Sequence, residues 1–235
     1  MTPGKPLERE EPTSMTSSRE RILERLRRGS AAAGSEPPPP SEGEAGWLAR
    51  QPPLGDLAER FIAGQTAVGG KVIEVADWAA LPAAVGPWMG EYQVRSVMTG
   101  TVPRLEPLRR HLAGELGIEL RTYSGSKEEQ EAEIFSTDCG ITTARGGIAE
   151  TGTLIVLPSA EEPRLLSLAP PIHLVLLERG NRFPNQLAFV ESGEYQAAPP
   201  TNLLLITGPS RTADIEQILT IGVHGPKVFL VALIG

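Results

Sequence analysis

The stretch Leu203-Leu204-Leu205-Ile206-Thr207-Gly208-Pro209-Ser210-Arg211-Thr212-Ala213-Asp214-Ile215-Glu216 carries the unit on which the fold depends. Four consecutive apolar residues bounded by Gly-Pro read as a buried strand. Ser210, Thr212 and Asp214 then stand where a helix would begin, with Glu216 in its first turns, and the pattern predicts a helix over 212–220. A strand, a glycine turn and a helix N-terminus form an anion site, to which Arg211 would add a fixed positive charge. The plainer alternative is a capped helix with a surface Arg.

The same alternation extends outward. Strands are predicted at 71–75, 92–98, 118–123, 154–157, 172–177, 203–206 and 228–234, with 134–138 as a strand end. Helices are predicted at 54–65, where Leu57, Phe61 and Ile62 share a face and Gly69-Gly70 is the stop, and at 77–85 behind Asp77 as cap. Others fall at 105–113, 128–133 and 185–191. Alternating helices and near-continuous apolar strands predict an α/β fold, a mostly parallel twisted sheet with helices on both faces.

Residues 1–45 read as a flexible N-terminal tail with a short basic helix, and 46–235 as a single domain starting near Trp47. From Ser17 or Ser18 to Arg28 the apolar stripe is Ile22, Leu23 and Leu26, and five Arg face two Glu. Such a helix is either a solvated surface element or a docking element for an acidic partner. Ser30–Ser41, with Pro37-Pro38-Pro39-Pro40, is a linker.

A chain of 235 residues with 40% hydrophobic and 22% charged residues holds enough apolar material for a sizeable core. The net charge of −7 argues against nucleic-acid binding, which needs a basic surface, but not against a small anion held by one Arg. With Cys139 alone, an internal disulfide and a self-contained iron–sulfur cluster, which takes about four thiolates, are both excluded. No segment is long and apolar enough to span a membrane, and Gly29–Gly34 after Arg27-Arg28 is too short for a signal core, so a cytoplasmic location is expected.

Gly146-Gly147-Ile148-Ala149-Glu150-Thr151-Gly152-Thr153 is a second candidate site. Its glycines allow close backbone approach, and the Glu150 carboxylate could serve as acid, base or nucleophile; otherwise it is a turn with a solvated Glu. Among the three histidines, His111 reads as exposed, His173 as a core imidazole, and His224 as the best acid–base candidate. Asp138, Glu150 and His224 have no sequence warrant for convergence. The loop 222–226 precedes its strand and so belongs at the edge opposite the carboxyl ends, where ligands bind in parallel sheets; Ser210, Arg211 and Thr212 therefore rank above His224. No His pair has metal-ligand spacing, so no metal is expected. Without Gly-Lys-Ser or Gly-x-Gly-x-x-Gly patterns, neither ATP nor NAD is expected and no cofactor is assigned.

Gly208–Glu216, Gly222-Val223-His224-Gly225-Pro226, Ile148-Ala149-Glu150-Thr151-Gly152-Thr153-Leu154 and Pro170-Pro171-Ile172-His173 resemble, in the same order, the signature of the lactate utilisation protein C family. The resemblance is specific over the C-terminal half, looser over 54–135, and absent from the N-terminal tail. It implies an LUD domain, similar to the sugar-phosphate isomerase and CoA-transferase fold. It also implies a place in a bacterial system that oxidises L-lactate to pyruvate, with redox centres in iron–sulfur partner subunits. Thr151, Gly152, Thr153, Gly208, Ser210, Arg211, Thr212 and Asp214 would then bind a small anionic ligand, with Glu150 and His224 as candidate catalytic groups. In CoA transferases of the related fold a glutamate in a short glycine loop forms an acyl anhydride. Glu150-Thr151-Gly152 is similar in outline but lacks the fuller Ser-Glu-Asn-Gly pattern. An independent isomerase-like or acyl-transferase-like enzyme using Glu150, and a non-catalytic assembly protein, are the alternatives.

Overall fold

A computed structural model describes residues 18–32, 55–123, 127–193, 200–213 and 219–235. The N-terminal unit contains α1 (Ser18–Ala32), on which Ile22, Leu23 and Leu26 are exposed and Arg28 pairs with Glu24 at 2.6 Å. The expected domain start at Trp47 lies outside the described residues. The second unit, 53–235, holds helices α2 (Leu57–Ala67), α3 (Leu81–Glu91), α4 (Glu106–Gly114), α5 (Lys127–Phe135) and α6 (Gln186–Glu191). Its strands are β1 (Lys71–Val75), β2 (Ser96–Thr99), β3 (Glu119–Thr122), β4 (Cys139–Thr143), β5 (Gly146–Ile148) and β6 (Thr153–Val156), then β7 (Ile172–Glu178), β8 (Arg182–Phe183), β9 (Leu204–Ile206), β10 (Arg211–Ala213), β11 (Leu219–Ile221) and β12 (Val228–Ile234).

Six strands form an all-parallel sheet in the order β1-β12-β7-β4-β2-β3, which establishes the α/β class. The central strands β7 and β12 are apolar on both faces because both faces are covered. Leu174, Leu176, Leu230, Ala232 and Ile234 pack on one side with Val85 of α3 and Leu108 and Leu112 of α4. Val175, Leu177, Phe229, Val231 and Leu233 pack on the other with Ala58 and Phe61 of α2 and Leu154 and Val156 of β6. Local capping fixes the helix starts. Asp56 Oδ1 accepts from Ala58 N (2.7 Å) and Glu59 N (3.0 Å) at α2, and Asn185 Oδ1 accepts from Ala188 N (2.9 Å) at α6.

Three expectations are corrected. The apolar runs at 154–157 and 203–206 are strands, but they belong to a separate four-stranded sheet, β8-β5-β6-β9, in which β6 is antiparallel to both neighbours. A continuous apolar run fixes neither the sheet a strand joins nor its burial: β6 is buried throughout, whereas Leu205 in β9 is exposed. Where a helix over 212–220 was expected, the described residues are strand. Arg211–Ala213 and Leu219–Ile221 pair as an antiparallel ribbon, Thr212 opposite Thr220, which suits β-branched residues better than a helix does. The segment 134–138 is no strand end: α5 runs to Phe135 and β4 starts at Cys139. Among the described residues no helix is long and apolar enough to cross a membrane.

Candidate functional site

The turn 149–152 joins β5 to β6 and is pressed against α2. Gly152 has φ +70°, and a Cβ there would lie 2.5 Å from Gln65 N and 2.7 Å from the Gly64 carbonyl carbon. Gly64 is equally constrained: its Cβ would lie 2.8 Å from Gly152 N. Only two glycines let these backbones touch. The fully buried Gln65 amide donates to Gly152 O, while its Oε1 has no partner. Arg60 Nη2 reaches Glu150 O at 3.4 Å. The Glu150 backbone is thus fixed, and its half-buried carboxylate has no bonded partner among the described residues.

A ladder of hydroxyls carries this turn to Thr207, at the start of the third motif along the chain. Thr151 Oγ1 lies 2.7 Å from Thr153 Oγ1, which lies 2.8 Å from Thr207 Oγ1. Beyond Thr207 the chain wraps the end of α2. Gly208, at φ +133°, leaves no room for a Cβ, which would meet Val68 Cγ2 at 2.8 Å, and Arg211 Nη2 donates to Val68 O. That carbonyl belongs to the negative end of a helix, where a guanidinium is favourable. Residues 211–213, where the anion reading of this turn expected a helix to begin, are strand instead, and Arg211 clamps α2. Arg211→Ala is expected to lower stability by roughly 1 kcal/mol and leave phosphate binding unchanged. A tenfold loss of phosphate affinity at constant melting temperature would reverse that assignment.

Ser210 joins the third and fourth motifs. Its N–H donates to Pro226 O (2.9 Å), its carbonyl accepts from Gly222 N (2.9 Å), and a Cβ on Gly225 would meet Ser210 Cβ at 3.1 Å. Lys227 N donates to Pro171 O at 2.8 Å. Residues 170–173, 207–212 and 222–226 therefore meet at the amino ends of β7 and β12. As the loop position foretold, His224 sits at this amino edge, exposed, on a cleft of about 420 Å³ lined also by Phe135, Leu168, Pro171 and Lys227. Because β9 belongs to the second sheet, the 208–212 turn also leads to this edge rather than to the carboxyl edge expected for it. Glu150 makes no contact with His224, and Asp214 lies outside the described residues.

The remaining candidates are structural. Asp138 Oδ2 accepts from Arg95 N, Ser96 N (both 2.9 Å) and Ser96 Oγ (3.1 Å); burial opposes its ionisation, but these bonds prevail and hold its carboxyl below the usual range. Cys139 is fully buried, which pushes its thiol up to about 12 and removes it as a nucleophile near neutral pH. His173 is wholly buried in β7. Its Nε2 lies 2.8 Å from Thr142 Oγ1, its ring is edge-on to Phe229, and burial lowers its pKa to about 3.

One site was missed in the sequence. At the carboxyl ends of β4 and β7 lies a cleft of about 370 Å³, lined by Trp78, Val102, Arg104, Thr143, Arg145 and Glu178 among others. Glu178 accepts from Trp78 Nε1 (3.1 Å) and from Arg104, whose guanidinium lies 4.8 Å from the Trp78 ring. Beside the cleft, Glu162 is only 8% exposed and accepts from Thr143 N at 3.0 Å and from Thr143 Oγ1. Burial pushes its carboxyl up. Glu161-Glu162 in a polar stretch looks solvated; nothing in the sequence marks one of the pair as buried. Among the described residues no three His, Cys, Asp or Glu side chains cluster to hold a metal ion.

Comparison with known proteins agrees with the family resemblance. The LUD domain family matches residues 58–234. An uncharacterised Neisseria meningitidis protein, NMB1437, is 33% identical over 185 residues, covering 71% of this chain and 79% of that one. Lactate utilization protein C of Halalkalibacterium halodurans is 31% identical over 153 residues, 62% of this chain and 65% of its own length, so this chain spans just under two thirds of that protein. A crystal structure of a DUF162 family protein from Deinococcus radiodurans shares the fold, with TM-score 0.58, 21% identity, and coverage of 79% of this chain and all of that one. The chain belongs to the LUD-domain family, and several of its relatives are named lactate utilization protein C.

Proposed function

We propose that this protein is a cytoplasmic, cofactor-free component of a bacterial L-lactate utilisation system, acting with iron–sulfur partner subunits in the oxidation of L-lactate to pyruvate. The observation that carries it is the LUD-domain match over nearly the whole second unit, alongside several relatives named lactate utilization protein C. A single buried cysteine fits a chain whose redox centres lie elsewhere. A likeness to the sugar-phosphate isomerase and CoA-transferase fold belongs to the same proposal. The 207–212 turn enters it as the joint of three motifs at a possible ligand or partner surface.

Two measurements test it. Deleting the gene should abolish growth on L-lactate, restored by the intact chain. The purified chain alone should not oxidise lactate, and should gain that activity only with its partners. Turnover by the isolated chain sinks the subunit role; normal growth of the deletion strain sinks the lactate role.

The free Glu150 carboxylate on a rigid turn favours a second reading, acyl transfer with Glu150 as nucleophile. Incubation with an acyl-CoA and hydroxylamine should then label Glu150, and an unlabelled residue removes that chemistry.

The basic helix α1, with its exposed Ile22, Leu23 and Leu26, suits docking on an acidic partner. Removing residues 1–41 should leave the melting temperature of the LUD domain unchanged and weaken complex formation more at low salt than at high salt. A destabilised domain with undiminished partner binding would place the helix in the core instead.

A further inference from the structure

In an open parallel sheet, ligands enter the crevice where neighbouring strands send their connections to opposite faces. That crevice lies here between β2 and β4, which are hydrogen-bonded neighbours. After β2 the chain turns to the face covered by Leu105, Leu108 and Leu112; after β4 it turns to the face covered by Leu154 and Val156. The crevice is filled from within the chain. Ser159 Oγ accepts from Glu161 N (3.1 Å) and Glu162 N (3.0 Å), closing a tight loop. Thr101 N donates to Glu161 O (3.0 Å), and Gly100 is so close that a Cβ would lie 2.5 Å from Glu162 Cγ. The loop thus lays a carboxylate on the Thr143 N–H and hydroxyl, a two-donor cradle at a strand's carboxyl end. Among the described residues no cation is bonded to Glu162, and the Thr143 cradle holds this buried acid in place. Thr143 also lines the 370 Å³ cleft, which offers the Arg104 guanidinium and the Trp78 ring.

We infer that the β2/β4 crevice is a binding site for a small monocarboxylic acid, and that Glu162 occupies it as an internal stand-in when no ligand is bound. The ligand's carboxylate takes the place of Glu162 on Thr143, and its body sits in the adjoining cleft beside Arg104. The loop 159–162 swings away as the ligand enters. This rests on the geometry of the crevice and stands apart from the lactate proposal.

The test uses the full chain, titrated with propionate, pyruvate and L-lactate, and with inorganic phosphate as control anion. Affinity is read by calorimetry and the contact by the Thr143 amide resonance. Glu162→Ala should bind at least one monocarboxylate ten or more times tighter than the wild type, moving the Thr143 amide, with phosphate inert. Adding Thr143→Val should remove that gain. Ser159→Ala, which loosens the loop at an exposed residue and leaves Glu162 and Thr143 intact, should raise affinity in the same direction by a smaller factor. A folded Glu162→Ala chain that binds none of the acids overturns the inference, as does a gain indifferent to Thr143→Val. Should Glu162→Ala fail to fold, unchanged affinity in Ser159→Ala overturns it alone. Binding of propionate but of neither pyruvate nor L-lactate upholds the crevice while counting against the lactate proposal.

Discussion

Gly152→Ala is expected to destabilise the protein by roughly 3–5 kcal/mol, a fall in melting temperature on the order of 6–20 °C for a chain of this size. Two costs add. At φ +70° a side chain meets the left-handed penalty of about 1–2 kcal/mol. The new methyl would also lie 2.5 Å from Gln65 N and 2.7 Å from the Gly64 carbonyl carbon, which are helix backbone and cannot swing aside. Relief means lifting the β5–β6 turn off α2, which breaks the Gln65–Gly152 bond and displaces the Thr151–Thr153–Thr207 hydroxyls. Gly90→Ala is the control. It is exposed near the end of α3 with nothing within 4 Å of its Cβ, so it should gain about 0.5–1 kcal/mol. Thermal unfolding of both variants decides. A Gly152→Ala protein melting within two or so degrees of the wild type would mean that this turn does not depend on backbone contact.

The physical reasons for what could be read in the sequence differ element by element. β7 and β12 were plain because seven-residue apolar strands need cover on both faces, and in an α/β chain the sheet centre provides it. β6, buried throughout, and β9, with Leu205 exposed, are apolar runs too, yet both sit in the second sheet, since an apolar run does not encode partnership. The strands at 211–213 and 219–221, where a helix was expected, have a similar cause. Ser210 and Thr212 look like caps, but Thr212, Thr220 and Ile221 serve a ribbon at least as well, and strand pairing is a non-local choice. Residues in one motif order do converge, through Ser210 and Pro226, because tight glycine turns place backbone donors and acceptors together. The role of Gly64 was invisible: mid-helix glycine reads as a weak helix former until its partner Gly152 is known. Glu162 was hidden for a related reason, since its environment is made by Thr143 and Gly100, distant in sequence.

His173 makes stability depend on pH in a window of its own. Its folded pKa, about 3, lies below the ordinary imidazole value of 6.5, so the unfolded chain binds a proton that the folded chain refuses. The imidazole is neutral in the fold because no charged group compensates its burial: Nε2 meets the Thr142 hydroxyl, Nδ1 has no partner, and Phe229 flanks the ring. Its contribution is therefore intact above pH 6.5 and declines by about 1.4 kcal/mol for each unit below it, until the folded pKa is reached near 3. Carboxylates held low, Asp56 and Asp138, lose their contribution only around and below the ordinary aspartate value of 3.8. Glu162 works the other way: its raised pKa adds stability as pH falls and withdraws it as pH rises through the folded value. The wild-type slope between pH 6.5 and 4.5 is thus a sum, and a variant isolates the imidazole. His173→Gln keeps a hydrogen-bonding group for Thr142 and carries no titrating proton. It should cost stability at pH 7.5 through poorer packing, roughly 1–3 kcal/mol, yet lose about 1.4 kcal/mol less than the wild type per unit of acidification. Urea unfolding at pH 7.5, 6.0 and 5.0 measures the two slopes. Parallel slopes would mean that His173 takes up its proton in the folded state without penalty, which its enclosure between Thr142 and Phe229 forbids.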